Sequence, residues 1–249
     1  ADGFNTAVGC ESGKTMTTGV NNTLIGSLAG DALTTGSNNV AIGKEALSTE
    51  DANGTNTAVG HQSLSTLNAG SDAYNVALGY RSGAVMTTGV QNTLIGGLAG
   101  DALTTGIANV AVGYQALTSE DANSNNTALG YRSLKTLNAG ANAANTAVGH
   151  NSGTLITTGV QNTILGSAAG DALTTGSYNT TLGYGSLSVE DTGQRNTAVG
   201  YEALKVQNAD QAEAWNTAVG MWSGRDVVTG LYNTLIGGLA GDNLTTGDN

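Results

Sequence analysis

The chain has 249 residues, 39% apolar but only 4% aromatic, with no proline and a formal net charge of −11 from 8 basic and 19 acidic side chains. So little aromatic bulk excludes a thick conventional core, and the acidic balance excludes a nucleic-acid partner because nothing supplies a positive footprint. One cysteine, Cys10, cannot form an internal disulfide, and no apolar run approaches the roughly 20 residues of a membrane-spanning helix, so no membrane insertion is expected.

The first element, Asn-Thr-Ala-Val-Gly at 5–9, returns in near copies along the whole chain. Its asparagines are Asn5, Asn22, Asn39, Asn56, Asn75, Asn92, Asn109, Asn126, Asn145, Asn162, Asn179, Asn196, Asn216 and Asn233. Most intervals are 17 residues (22 − 5), and a longer period of 70 (75 − 5, 145 − 75) or 71 (216 − 145) sits on top. Short fixed periods mean stacked supersecondary units. The chain therefore reads as a single repeat domain, 1–249, with super-repeats 5–74, 75–144 and 145–215 and a partial one at 216–249. It reads as a segment of a longer fibre.

Within one coil, counted from Asn as zero, position +1 is Thr or Val and +3 is Val, Ile or Leu in all fourteen copies. Alternating β-branched residues predict a strand whose +1 and +3 side chains face the coil interior while +2, mostly Ala, faces away. Position +4 is invariably glycine: Gly9, Gly26, Gly43, Gly60, Gly79, Gly96, Gly113, Gly130, Gly149, Gly166, Gly183, Gly200, Gly220 and Gly237. That column predicts a corner with positive φ or close backbone approach. Apolar residues at +11, such as Leu33, Leu67 and Met86, predict a second short strand. At +14, glycine is replaced only by Asn53, Asn123 and Asp210, residue types that tolerate left-handed backbone, which predicts a second positive-φ turn. The fold class that follows is all-β, a parallel β-solenoid of 14 coils. The buried-turn position of the asparagines predicts a stacked amide ladder with a structural role.

Position +8 is Gly in two successive coils and Leu in the next two (Gly13, Gly30, Leu47, Leu64), a packing surface that steps in and out along the axis, as if glycine coils leave room for something that leucine coils fill. In the second coil of each super-repeat, +2 and +6 turn apolar: Leu24 and Leu28, Leu94 and Leu98, Ile164, Leu235 and Leu239. With the interior assigned to +1, +3 and +11, these residues are expected at an inter-chain contact. The fourth coil carries insertions at Ser71 to Tyr74, Asn142 to Ala144 and Gln211 to Trp215, expected to protrude as recognition loops.

Chemistry-bearing residues are sparse. Glu50-Asp51, Glu120-Asp121 and Glu190-Asp191 in third coils, and Asp31, Asp101, Asp171 and Asp242 in second coils, read as a solvated acidic rim. A cation at these positions is the alternative, and no other cofactor is expected. His61 and His150 share the outward +5 row with Tyr80, Tyr114, Tyr131, Tyr184 and Tyr201, where stacking is expected and carbohydrate contact is the alternative. No acid–base pair, nucleophile or metal-ligand spacing appears, so catalysis is not expected. Thr-Thr-Gly triplets at +12 to +14 raise an ice-binding solenoid as a further alternative, and a glycan-binding or glycan-degrading fibre domain as another.

The Asn-Thr-Ala-Val-Gly, Asn-Val-Ala-Ile-Gly and Asn-Thr-Leu-Ile-Gly repeats resemble YadA-type heads of trimeric adhesins. They also resemble the Asn-Thr-Ala-Ile-Gly-rich shafts of phage tail fibres and large surface adhesins. The resemblance implies a left-handed parallel β-roll, a homotrimer, an extracellular, cell-surface or virion location, and attachment to a cell-surface or glycan receptor. These coils, at 17 residues, are longer than the usual adhesin-head coil.

Overall fold

The computed structural model describes residues 3–52, 54–119, 122, 124–140, 142–209 and 213–248. The chain forms two compact units, Ala1–Ser124 and Asn125–Asn249. In the first unit the strands are β1 (Thr6–Val8), β2 (Thr23–Ile25), β3 (Val40–Ile42), β4 (Thr57–Val59), β5 (Val76–Leu78), β6 (Thr93–Ile95) and β7 (Val110–Val112). In the second they are β8 (Thr127–Leu129), β9 (Thr146–Val148), β10 (Thr163–Leu165), β11 (Thr180–Leu182), β12 (Thr197–Val199), β13 (Thr217–Val219) and β14 (Thr234–Ile236).

Within each unit every strand pairs in parallel with its successor, one coil on and in the same register: Thr6 opposite Thr23 and Ala7 opposite Leu24, or Thr146 opposite Thr163 and Ala147 opposite Ile164. The ladder continues past the strand ends, where the Thr23 amide donates to the Asn39 carbonyl at 2.9 Å and the Gly43 amide to the Ile25 carbonyl at 2.7 Å. The protein is an all-β parallel β-solenoid.

Three sequence expectations change here. Among the described residues each coil holds one strand, and the half around +11 is a run of turns. Recurring inter-coil bonds still tie it to the next coil, such as Gly13 to Ala29 at 3.0 Å and Thr17 to Thr34 at 2.9 Å. The reason is backbone conformation: the residues at −1, +6 and +8 adopt φ between 42° and 63° in all fourteen coils, whether they are Gly, Leu, Arg, Tyr or Trp. Left-handed residues at +6 and +8 bend the chain too sharply for an extended segment to follow.

The strand faces are also reversed. The +2 side chains Leu24, Ala41, Ala58, Ala77, Leu94, Ala111, Ala128, Ala147 and Ile164 are fully buried, while +1 and +3 point outward. A three-residue strand closed by tight corners leaves a narrow interior, in which the second coils place Leu or Ile at +2 and most others Ala. Alanine fits there, facing the buried +7, +8 and +11 side chains of the opposite wall.

The third change follows from the second. Gly and Leu at +8 adjust the internal volume to +2. A Cβ on Gly83, in the coil before Leu94, would lie 2.8 Å from Leu94 Cδ1, and one on Gly100, in the same coil, 2.9 Å from Leu94 Cδ2, whereas the third and fourth coils, with no large +2 side chain beside them, carry Leu47, Leu64, Leu117 or Leu134 at +8. What the glycine coils make room for is the chain's own leucine.

Candidate interaction surface

The asparagine ladder is internal. Asn162 is 1% exposed. Its Nδ2 donates to the Gly176 carbonyl (2.9 Å) and to Asn145 Oδ1 (3.1 Å), its amide donates to Asn145 Oδ1 (2.9 Å), and its own Oδ1 accepts the Asn179 amide (2.9 Å). One side chain therefore ties its own coil shut and fixes the next coil's height. The arrangement offers nothing to a ligand.

The +4 glycines have φ between 124° and 143°, and a Cβ on Gly130 would overlap the Gly149 carbonyl. At +14 the expected positive φ occurs, among the described residues, only at Gly70 and Gly140, where a Cβ would meet nothing within 4 Å. Elsewhere in that row close approach is the constraint: a Cβ on Gly89 would lie 2.7 Å from the Gly106 carbonyl oxygen. Asn53, Asn123 and Asp210 lie outside the described residues.

Leu24, Leu94 and Ile164, expected at an inter-chain contact, are core residues, and Leu235 packs inside the last coil against Gly224 and Gly241. Leu28, Leu98 and Leu239 at +6 do face outward. The insertions are partly internal as well. Each of the three places an alanine, Ala73, Ala143 or Ala214, in the core, followed by an outward residue such as exposed Tyr74 or Trp215. Arg195 lies over the rings of Trp215 (5.0 Å) and Tyr178 (5.3 Å) and pairs with Glu213.

The acidic rim is divided. Glu50 and Glu190 occupy the +11 core row and are fully buried, while Asp51 is exposed; Glu120 and Asp121 lie outside the described residues. Glu190 Oε1 accepts the amides of Gly193 (2.7 Å) and Thr192 (3.3 Å), and Oε2 accepts that of Ala209 (3.4 Å). Burial pushes its pKa up, opposed by those three amides and reinforced by Asp191. Burial likewise raises Asp31, Asp101 and Asp171. Among the described residues no group of three or more His, Cys, Asp or Glu is placed to hold a metal ion.

What remains for contact is the outer surface of the strands. The +3 row, which includes Val8, Ile25, Leu78, Leu129, Leu165, Leu182 and Ile236, is exposed aliphatic surface flanked by the Thr and Val of +1. Sequence reasoning missed it because the same β-branched alternation is the usual mark of a buried strand face. Beside it runs the +5 row of stacked rings. The cavity of about 290 Å³ lined by Gly3, Asn5, Met16 and Thr17–Val20 lies at the open edge of the first coil. No family model matches the chain, and no curated protein or solved structure matches it.

Proposed function

We propose that the chain is a structural and adhesive fibre segment of an extracellular, cell-surface or virion protein. In this role it associates with copies of itself, three chains being the number implied by the resemblance to trimeric adhesin heads and tail-fibre shafts, and it carries out no catalysis. The observation that supports this most is the outward +3 row, aliphatic in every coil without one charged interruption. Soluble monomers rarely leave so continuous an apolar face in water, and a face that repeats identically is complementary in spacing to the same face of another copy. The uniformity of the coils also favours scaffolding over catalysis, since an active site concentrates unusual residues in one place.

The threonine triplets favour ice binding less than their sequence suggests. The hydroxyls of Thr17, Thr34, Thr157 and Thr174 donate to carbonyls of the following coil at 2.8–3.1 Å. They serve the ladder.

The test is sedimentation velocity in dilute neutral buffer, with three chains expected. Leu165→Lys with Leu182→Lys should dissociate the assembly while leaving the circular dichroism unchanged, because both side chains point away from the core. A parent chain that sediments as a monomer overturns the proposal.

A further inference from the structure

The +5 row is a ladder of rings interrupted at regular places. His61 and Tyr80 stack with centroids 5.6 Å apart and planes 10° from parallel, Tyr131 and His150 at 5.1 Å and 8°, and Tyr184 and Tyr201 at 5.5 Å and 14°. Rings stacked between successive coils turn their faces along the coil axis. In the second coil of each super-repeat the row drops to Ser27, Gly97, Ser167 or Gly238. In the first unit, Gly97 thus has Tyr80 one coil before it and Tyr114 one coil after. In the second unit, Ser167 has His150 before and Tyr184 after.

Two observations indicate open space at these coils. Tyr80 and Tyr184, which border the gaps, are 55% and 53% exposed, against 44% for Tyr201, which has Tyr184 on one side and Trp222 on the other. A Cβ on Gly97 would meet nothing of Tyr80 within 4 Å, while the Tyr114 ring leans to within 3.5 and 3.8 Å of it, so the space opens on the Tyr80 side.

The geometry points to a pyranose-binding slot in each unit, one between Tyr80 and Tyr114 over Gly97, the other between His150 and Tyr184 over Ser167. Two coil steps of about 4.8 Å set the walls roughly 10 Å apart. A flat aromatic ligand, stacked at about 3.5 Å, is too thin to touch both walls. A saturated sugar ring is thicker and carries C–H groups on both faces, which suits the negative faces of two aromatic rings. The phenol hydroxyls of Tyr80 and Tyr184 and the His150 imidazole bring donors and acceptors for sugar hydroxyls. Neither slot carries a cluster of charge, so a neutral glycan is the ligand class. The assignment deepens the attachment role and rests on it for its biological sense, but the binding itself is measurable on the purified chain.

The decisive variant fills the slots. Gly97→Tyr with Ser167→Tyr supplies the missing rings, and the row already accepts tyrosine in neighbouring coils, so folding is retained. Saturation-transfer NMR on the full chain, with cellotetraose and tri-N-acetylchitotriose as probes, should show binding by the parent and at least a tenfold loss in the filled variant. Tyr80→Ala with Tyr184→Ala should weaken binding to a similar degree. No transfer to either sugar, or transfer that persists unchanged in the filled variant, overturns the slots. Sedimentation of the same samples separates the two proposals: a trimer that binds no sugar removes the slots alone, and a sugar-binding monomer removes the fibre assembly alone.

Discussion

Leu24 occupies the space that Gly30 leaves free: a Cβ on Gly30 would lie 2.9 Å from Leu24 Cδ2, and the previous coil's Gly13 is as close to Cδ1. The next two coils reverse the exchange, with Ala41 facing Leu47 and Ala58 facing Leu64, all fully buried. The four-coil super-repeat is thus an alternation of two ways to fill the same narrow core.

That exchange predicts coupling at the equivalent pair Leu94 and Gly100. Leu94→Ala should cost about 2–5 kcal/mol through the cavity it opens. Gly100→Leu alone should also destabilise, by overpacking against Leu94. The double variant copies the Ala111 and Leu117 arrangement and should recover part of the loss, with a coupling of about 1–3 kcal/mol. Chemical denaturation of the four chains measures it; additive single effects would contradict the packing.

Gly130 and Gly140 separate the two kinds of turn. Gly130 has φ 139° and its missing Cβ would overlap a backbone carbonyl, so Gly130→Val should lower Tm by many degrees and disturb the adjoining coils. Gly140 has φ 68° and open surroundings, which asparagine tolerates, so Gly140→Asn should melt within about a degree of the parent. Thermal scans by circular dichroism decide between these outcomes.

At Asn162, removal of the amide leaves the Asn179 amide and the Gly176 carbonyl unpaired in the core. Asn162→Ala should therefore cost about 1–3 kcal/mol per orphaned group. Asn162→Asp retains an acceptor for Asn179 but sets a carboxylate against two oxygen acceptors, Gly176 O and Asn145 Oδ1. It should be the worse change at neutral pH and improve on acidification. Hydrogen exchange at the Asn179 amide reports the loss locally.

Glu190 gives the pH dependence its sign. Its folded pKa is raised, so the stability tied to its protonated form is fully present below the ordinary carboxylate range of about 4.3 and is lost as pH rises through the raised value. Asp31, Asp101 and Asp171 act in the same direction. The lowered pKa values of Glu45, Glu202, Glu213 and Asp226 come from side-chain hydrogen bonds and ion pairs at the solvent-accessible surface and oppose this weakly. Calorimetry should give a higher Tm near pH 5 than near pH 8. Glu190→Gln, which copies the buried Gln207 one coil on, should raise Tm at the higher pH and flatten the profile.

The sequence by itself determined the period, the strand at +1 to +3, the parallel stacking and the glycine corner at +4; the second strand expected near +11 gave way to turns. Each is visible because a solenoid repeats one solution, so a backbone requirement such as that of Gly130 appears as an invariant column. Which strand face is buried was decided only in three dimensions. Thr and Val at +1 and the aliphatic +3 row look like core by propensity, yet in the closed coil, bent by left-handed residues at −1, +6 and +8, it is +2 that faces the interior and the β-branched rows that turn outward. At −1 and +6 those residues include Tyr74, Arg81, Leu98 and Trp222, side chains with no preference for positive φ, and at +8 glycine alternates with leucine, so residue type did not mark the bends as it marked the +4 corner. Glu190 stands in the +11 row, which its leucines elsewhere already mark as interior; what only the fold shows is that the carboxylate stays buried there, held by the amides of Thr192, Gly193 and Ala209, rather than turning out to an acidic rim.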